Sequence, residues 1–198
     1  MPGPKANAIY QRQIEARTKL WPEISNQHIW YRLERDGFVT MPRAMPLIMR
    51  IMDHLAGKGI PVSLVYLDIW CRSFDEGFVQ LNKPDEMAYY SGFSGQRALR
   101  TWKDRINRLA ALGFISVKAG PSGPLSYALI FNPYHVISRA NSAGELIDGM
   151  WEALIMRSSE ISATDLDDLD GNGIVKPKAK KPAITNQDIA TLFAKKSK

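Results

Sequence analysis

Arg97, Arg100, Lys103, Arg105 and Arg108 crowd into one short stretch with Asp104 as its single acid, a local charge of +4. Cations three and four residues apart share one side of a helix. A rigid cationic row of this kind is what displaces the counterions condensed on a nucleic-acid duplex. Gln96 and Thr101 flank the first arginines and bring donors and acceptors suited to base edges, where arginine to guanine is the commonest specific contact. The chemistry implied is non-covalent. Gln96, Arg97, Arg100 and Thr101 would read bases, Arg108 and Lys118 would hold phosphates, and Lys103 and Arg105 would add charge, with Ser94 and Ser122 at the two ends of the contact set.

The elements around these residues should present them on a frame. Residues 85–90 read as a helix with Asp85 and Glu86 in the first turn, where acids suit the positive helix end. The turn Ser91-Gly92-Phe93 follows, Ser94 is placed to cap a second helix, and that helix stops at Gly113. At 100° per residue Ala98, Leu99, Trp102, Ile106, Leu109 and Ala110 share an arc of roughly 120°, the width of a core-facing stripe. Arg97, Arg100, Thr101, Asp104, Asn107 and Arg108 fall on the opposite arc. Residues 114–118 alternate like a strand and 126–131 form a second one. The six residues 119–124 between them hold two glycines and two prolines and predict a hairpin with a long tip.

Residues 102–131, with the run Arg105-Ile106-Asn107-Arg108-Leu109 leading into Leu112-Gly113-Phe114-Ile115, resemble the end of the recognition helix and the first wing strand of winged helix-turn-helix domains. Such endings occur in bacterial transcription regulators and in replication and maintenance proteins of plasmids and related mobile elements. Residues 62–74 correspond to the first helix of such a domain and 78–81 to its short first strand, so the likeness spans residues 61–131. The resemblance implies sequence-specific binding of double-stranded DNA by a regulator of transcription or of plasmid or mobile-element replication and maintenance. A protein-interaction adaptor built on the same scaffold is the alternative.

The rest of the chain is consistent with such a domain and excludes little else. With 198 residues, 45% of them hydrophobic, and five Trp, the composition is that of a globular protein. Residues 1–157 hold 19 basic and 14 acidic side chains, 158–175 five acids and no cation, and 176–198 seven lysines and one acid. Residues 6–19 and 26–35 read as helices, and a third opens at Pro46 and stops at Gly57. Met41, Met45, Met49 and Met52 are read as core filler and not as a metal site. Residues 143–157 read as an amphipathic helix whose apolar face, Leu146 to Ile155, would pack on the residue 45–55 helix or form a homodimer.

Residues 168–173 match the first half of a calcium loop, but Ala179 stands where the bidentate glutamate is needed, so a solvated acidic linker is expected. A proline-lysine spacer comes next, and a capping box at residues 185–188 would start a short helix that could dock on a protein partner. His28, His54 and His135 are scattered and no catalytic constellation is legible, so neither enzyme activity nor a metal or cofactor is expected. A single Cys71, no signal-like apolar segment and no stretch of about 18 apolar residues suggest a cytoplasmic protein with no membrane partner. The expected fold is mainly α with a small β-hairpin. It comprises a helical region 1–60, a winged helix-turn-helix core 61–137, a C-terminal helix 138–157, and a charged disordered tail 158–198 with a short terminal helix.

Overall fold

Prolines start helices in this chain and glycines stop them. The computed structural model describes residues 4–25, 28–30, 36–74, 76–147, 149–170 and 176, and the chain divides into two units, Met1–Thr40 and Met41–Lys198. In the first unit α1 spans Pro4–Leu20. Leu20, Trp21, Ile24 and Trp30 are exposed, and Trp30 meets Phe38 edge to face at 6.1 Å. The helix expected over 26–35 lies largely outside the described residues.

In the second unit α2, Met45–Ala56, carries Pro46 in its first turn and ends at Gly57, whose φ of 99° is a conformation that glycine adopts without strain. Its buried side chains Met45, Ile48, Ile51, Met52 and Ala56 recur at helical spacing, so Met45, Met49 and Met52 pack at or against the core while Met41 is exposed. α2 shares one core with the elements C-terminal to it, and the division between the two units falls at residue 40.

Then come α3 (Ser63–Arg72), β1 (Phe78–Gln80), α4 (Pro84–Tyr90), α5 (Ala98–Ala111), β2 (Ile115–Gly120) and β3 (Gly123–Ile130). The strands form one antiparallel sheet in the order β1-β3-β2. Val79, Ala128 and Val117 lie side by side in register and face the helices, packing with Trp102, Ile106, Leu109 and Phe114. Phe78 and Tyr127 point the other way and stack at 5.7 Å.

The end of α2 and the start of α3 are joined by one side chain. Asp53 accepts hydrogen bonds from the backbone N–H groups of Val62 (2.7 Å) and Ser63 (2.9 Å) and from the Ser63 hydroxyl (2.7 Å). First-turn N–H groups have no partner within their own helix, and a carboxylate there also complements the helix dipole. Asp53→Ala should therefore lower stability by about 2 kcal/mol, as for loss of a strong cap. A urea titration should show this as a lower midpoint with unchanged slope, and an unchanged midpoint would refute the assignment.

Three expectations are corrected. The long hairpin tip is a two-residue turn, Pro121-Ser122, because Gly120 pairs with Gly123 and both strands run on to it. Pro124 fits because the register shifts there, so that its missing N–H interrupts no regular ladder. Gly120 is obligatory, since a Cβ would stand 2.4 Å from the Tyr127 ring.

The helix expected at 143–157 begins only at Met150 (α7, Met150–Glu160), and an unexpected helix, α6 (Pro133–Ser142), precedes it. Asn132 and Pro133, directly after the strand read at 126–131, are the N-cap and first residue of α6, and the Asn132 side chain accepts from the Tyr134 N–H at 3.0 Å. The apolar stripe, open between packing on the residue 45–55 helix and a homodimer, is mostly used inside the monomer: Leu154 is fully buried, and Leu146, Met150 and Trp151 pack against the core, while Ile147 and Ile155 stay exposed.

Finally, the acidic linker begins as structure. Asp165–Asp168 form a 3-10 turn on α6, with Asp165 accepting from Asn132 (2.7 Å) and its carbonyl 2.9 Å from His135. Residues 171–173 of the calcium-like loop and the helix expected at 185–196 lie outside the described residues. The second unit is thus mainly helical with a small three-stranded sheet, and no described helix is long and apolar enough to cross a membrane.

Candidate nucleic-acid interface

Three fully buried side chains, Trp102, Ile106 and Leu109, hold α5 on the core, each stabilising by about 1.5–3 kcal/mol through removal of apolar surface from water. Its partner α4 is braced from behind. Arg72 of α3 pairs with both carboxylate oxygens of Asp68 at 3.0 Å, reaches Glu86 of α4 at 3.3 Å, and lies 5.4 Å from the centre of the Tyr90 ring. Burial raises the Asp68 carboxyl above its ordinary range and Arg72 opposes the shift, whereas hydrogen bonds from Lys83 and then Arg72 hold Glu86 below its own.

The turn between α4 and α5 is longer than the sequence suggests. Gly92 and Gly95 both take positive φ, 85° and 77°, a conformation that interrupts a right-handed helix. The helix therefore starts at Ala98, and Ser94 does not cap it. Ser94 and Gln96 are exposed in the turn, and Arg97 occupies the N-cap position with no side-chain cap bond. A cation at that end opposes the helix dipole, and arginine is not among the side chains that cap helix starts. Local stability does not explain Arg97.

The five cations of the cluster separate into two groups. Arg97, Arg100 and Lys103 are exposed, with Asn107 beside them, and form no ion pair or side-chain hydrogen bond among the described residues. Arg105 and Arg108, three and six residues after Trp102, fall on the flank of α5 that meets α2. Arg108 donates from Nε to Ala56 O (3.1 Å) and from Nη2 to Leu55 O (2.8 Å), closing the carbonyl end of α2. Arg105 donates to Gly59 O at 3.3 Å, and its Nε is buried. Arg108, expected to hold phosphate, and Arg105, expected to add charge, are thus engaged in helix capping and loop fastening. Thr101, on the same flank, is half-buried.

Beyond α5 the β2–β3 hairpin presents Lys118 and Ser122, both exposed. The Arg105 contact also fastens the loop carrying Lys58, an exposed cation that sequence reading passed over although Gly57 and Gly59 mark a turn there. Among the described residues no group of His, Cys, Asp and Glu is arranged to hold a metal ion. The geometry brings together Arg100, Lys103 and Asn107 along α5 with Gln96 and Arg97 just before its start, and Lys118 lies on the hairpin after it. Compared with known proteins, the chain matches no family model, no curated protein and no solved structure.

Proposed function

We propose that residues 61–131 form a winged helix-turn-helix domain that binds duplex DNA, with α4 and α5 as its two helices, α5 as the recognition element and the β2–β3 hairpin as the wing. The observation that carries this reading is Arg97: a cation set against the dipole at the exposed start of α5, one turn before Arg100 and two before Lys103. The N-terminal residues of a recognition helix are those that meet base edges, so Gln96, Arg97 and Arg100 read sequence while Lys103 and Lys118 hold phosphates. A regulator of transcription, or of plasmid or mobile-element replication and maintenance, is the role this activity would serve.

With Arg105 and Arg108 engaged elsewhere, four cations remain: Arg97, Arg100, Lys103 and Lys118. In fluorescence anisotropy of the full chain on genomic duplex fragments, these four should contribute about −3.6 to the slope of log K against log[salt], at roughly −0.9 per phosphate contact. Absence of binding at low salt sinks the proposal.

The adaptor reading has one observation in its favour. Phe78, Leu129 and Phe131 are each more than 40% exposed on or beside the outer face of the sheet, and Phe74 is 89% exposed, and apolar surface of this kind marks protein contact. A chain that binds no DNA but forms a stable complex lost on Phe78→Ser would favour the adaptor.

A further inference from the structure

We propose that α1 is a second phosphate-binding element, contacting the DNA backbone through Arg12 and Lys19; this rests on the DNA-binding function proposed for α5. The sequence of α1 holds four basic residues and one acid, and apart from the half-buried Ile14 and Arg17 its described side chains are exposed. A helix that buries so little gains almost nothing from packing, the main source of helix stability in proteins. Its charge fits a polyanion better than an apolar groove.

The stripe has the right form. At 100° per residue Lys19 falls about 20° from Arg12, with Ala8 and Ala16 about 40° to either side, all of them exposed. Seven residues of helix put the two cations about 10 Å apart along the axis, far enough to meet two different phosphates of one strand. The exposed alanines leave room for the helix to approach a backbone closely. Glu15 is the one acid on this face, and it makes no ion pair with Arg12 or Lys19 among the described residues.

The test uses the full chain carrying Arg12→Ala and Lys19→Ala, substitutions that keep helix propensity high. Anisotropy on the same duplex across a salt series should show the slope less steep by about 1.8, two contacts at roughly 0.9 each. The charge-conserving pair Arg12→Lys and Lys19→Arg should restore the original slope, and circular dichroism should show equal helix content in all three proteins. An unchanged slope in the alanine variant, while the parent chain binds DNA, overturns the role of α1 and leaves α5 untouched. Failure of the parent chain to bind DNA overturns both.

Discussion

Replacing Arg97 by serine together with Arg100 by alanine is expected to weaken binding to a preferred DNA site by about 2–4 kcal/mol, because each arginine placed for a bidentate guanine contact contributes roughly 1–3 kcal/mol of discrimination. This corresponds to roughly a 30- to 700-fold loss at 1.4 kcal/mol per decade. Binding to random duplex should fall much less, since what remains there is the phosphate term. Stability should hold or rise. Arg97 sits at the N-cap of α5 without a cap bond, and serine supplies a hydroxyl for the first-turn N–H groups and removes a charge opposed to the dipole. The combination of lost affinity and retained melting temperature is what separates a contact residue from a structural one. Equal losses on preferred and random DNA would show that these arginines act as bulk charge alone, and a fall in melting temperature would show that they support the fold.

Arg108→Ala should behave in the opposite manner, although it changes the same residue type on the same helix. Its guanidinium closes two carbonyls at the end of α2 from a half-buried position. Charge-assisted hydrogen bonds of this type contribute roughly 1.5–3 kcal/mol, and an unpaired carbonyl at a helix end loses its dipole partner as well. We expect stability to fall by about 2–3 kcal/mol and the melting temperature by roughly 4–12 °C for a domain of this size. Arg108→Lys should not rescue it, because a single ammonium cannot reproduce the planar fork that meets both carbonyls. At temperatures where the variant is folded its DNA salt slope should equal that of the parent. A flatter slope with unchanged melting temperature would return Arg108 to the phosphate-binding set.

Arg100 and Arg108 show where the sequence stops being informative. Both belong to the polar arc of one amphipathic helix, and the periodicity that separates them from Trp102, Ile106 and Leu109 is local, so the buried stripe of α5 was readable from spacing alone. Their different fates depend on where the end of α2 comes to rest, a contact spanning 53 residues of chain. No pattern within α5 encodes it. The same holds for Asp53, whose role at the start of α3 exists only once α2 and α3 have packed. By contrast α2, α4 and the stop of α5 were legible because Pro46, Gly57, the first-turn acids Asp85 and Glu86, and Gly113 act on their own stretch of backbone.

Misread segments had local signals with two meanings. Asn132-Pro133 can close a strand or open a helix, and packing of Tyr134 and Ile137 into the core selects the helix. Glycine and proline in 119–124 can make a loose tip or a tight one, and the pairing of Gly120 with Gly123 across the hairpin selects the tight turn. Ser94 can cap a helix only where the chain turns helical directly after it, and Gly95 at positive φ delays that turn to Ala98. The sequence by itself determined which residues are buried along α5 and that this helix carries an excess of cations, because side-chain chemistry and a 3.6-residue period are properties of adjacent residues. Tertiary structure alone decided which cations face solvent and which are consumed by carbonyls of another helix, because a charged side chain goes to the nearest unsatisfied partner, and that partner is brought near only by folding.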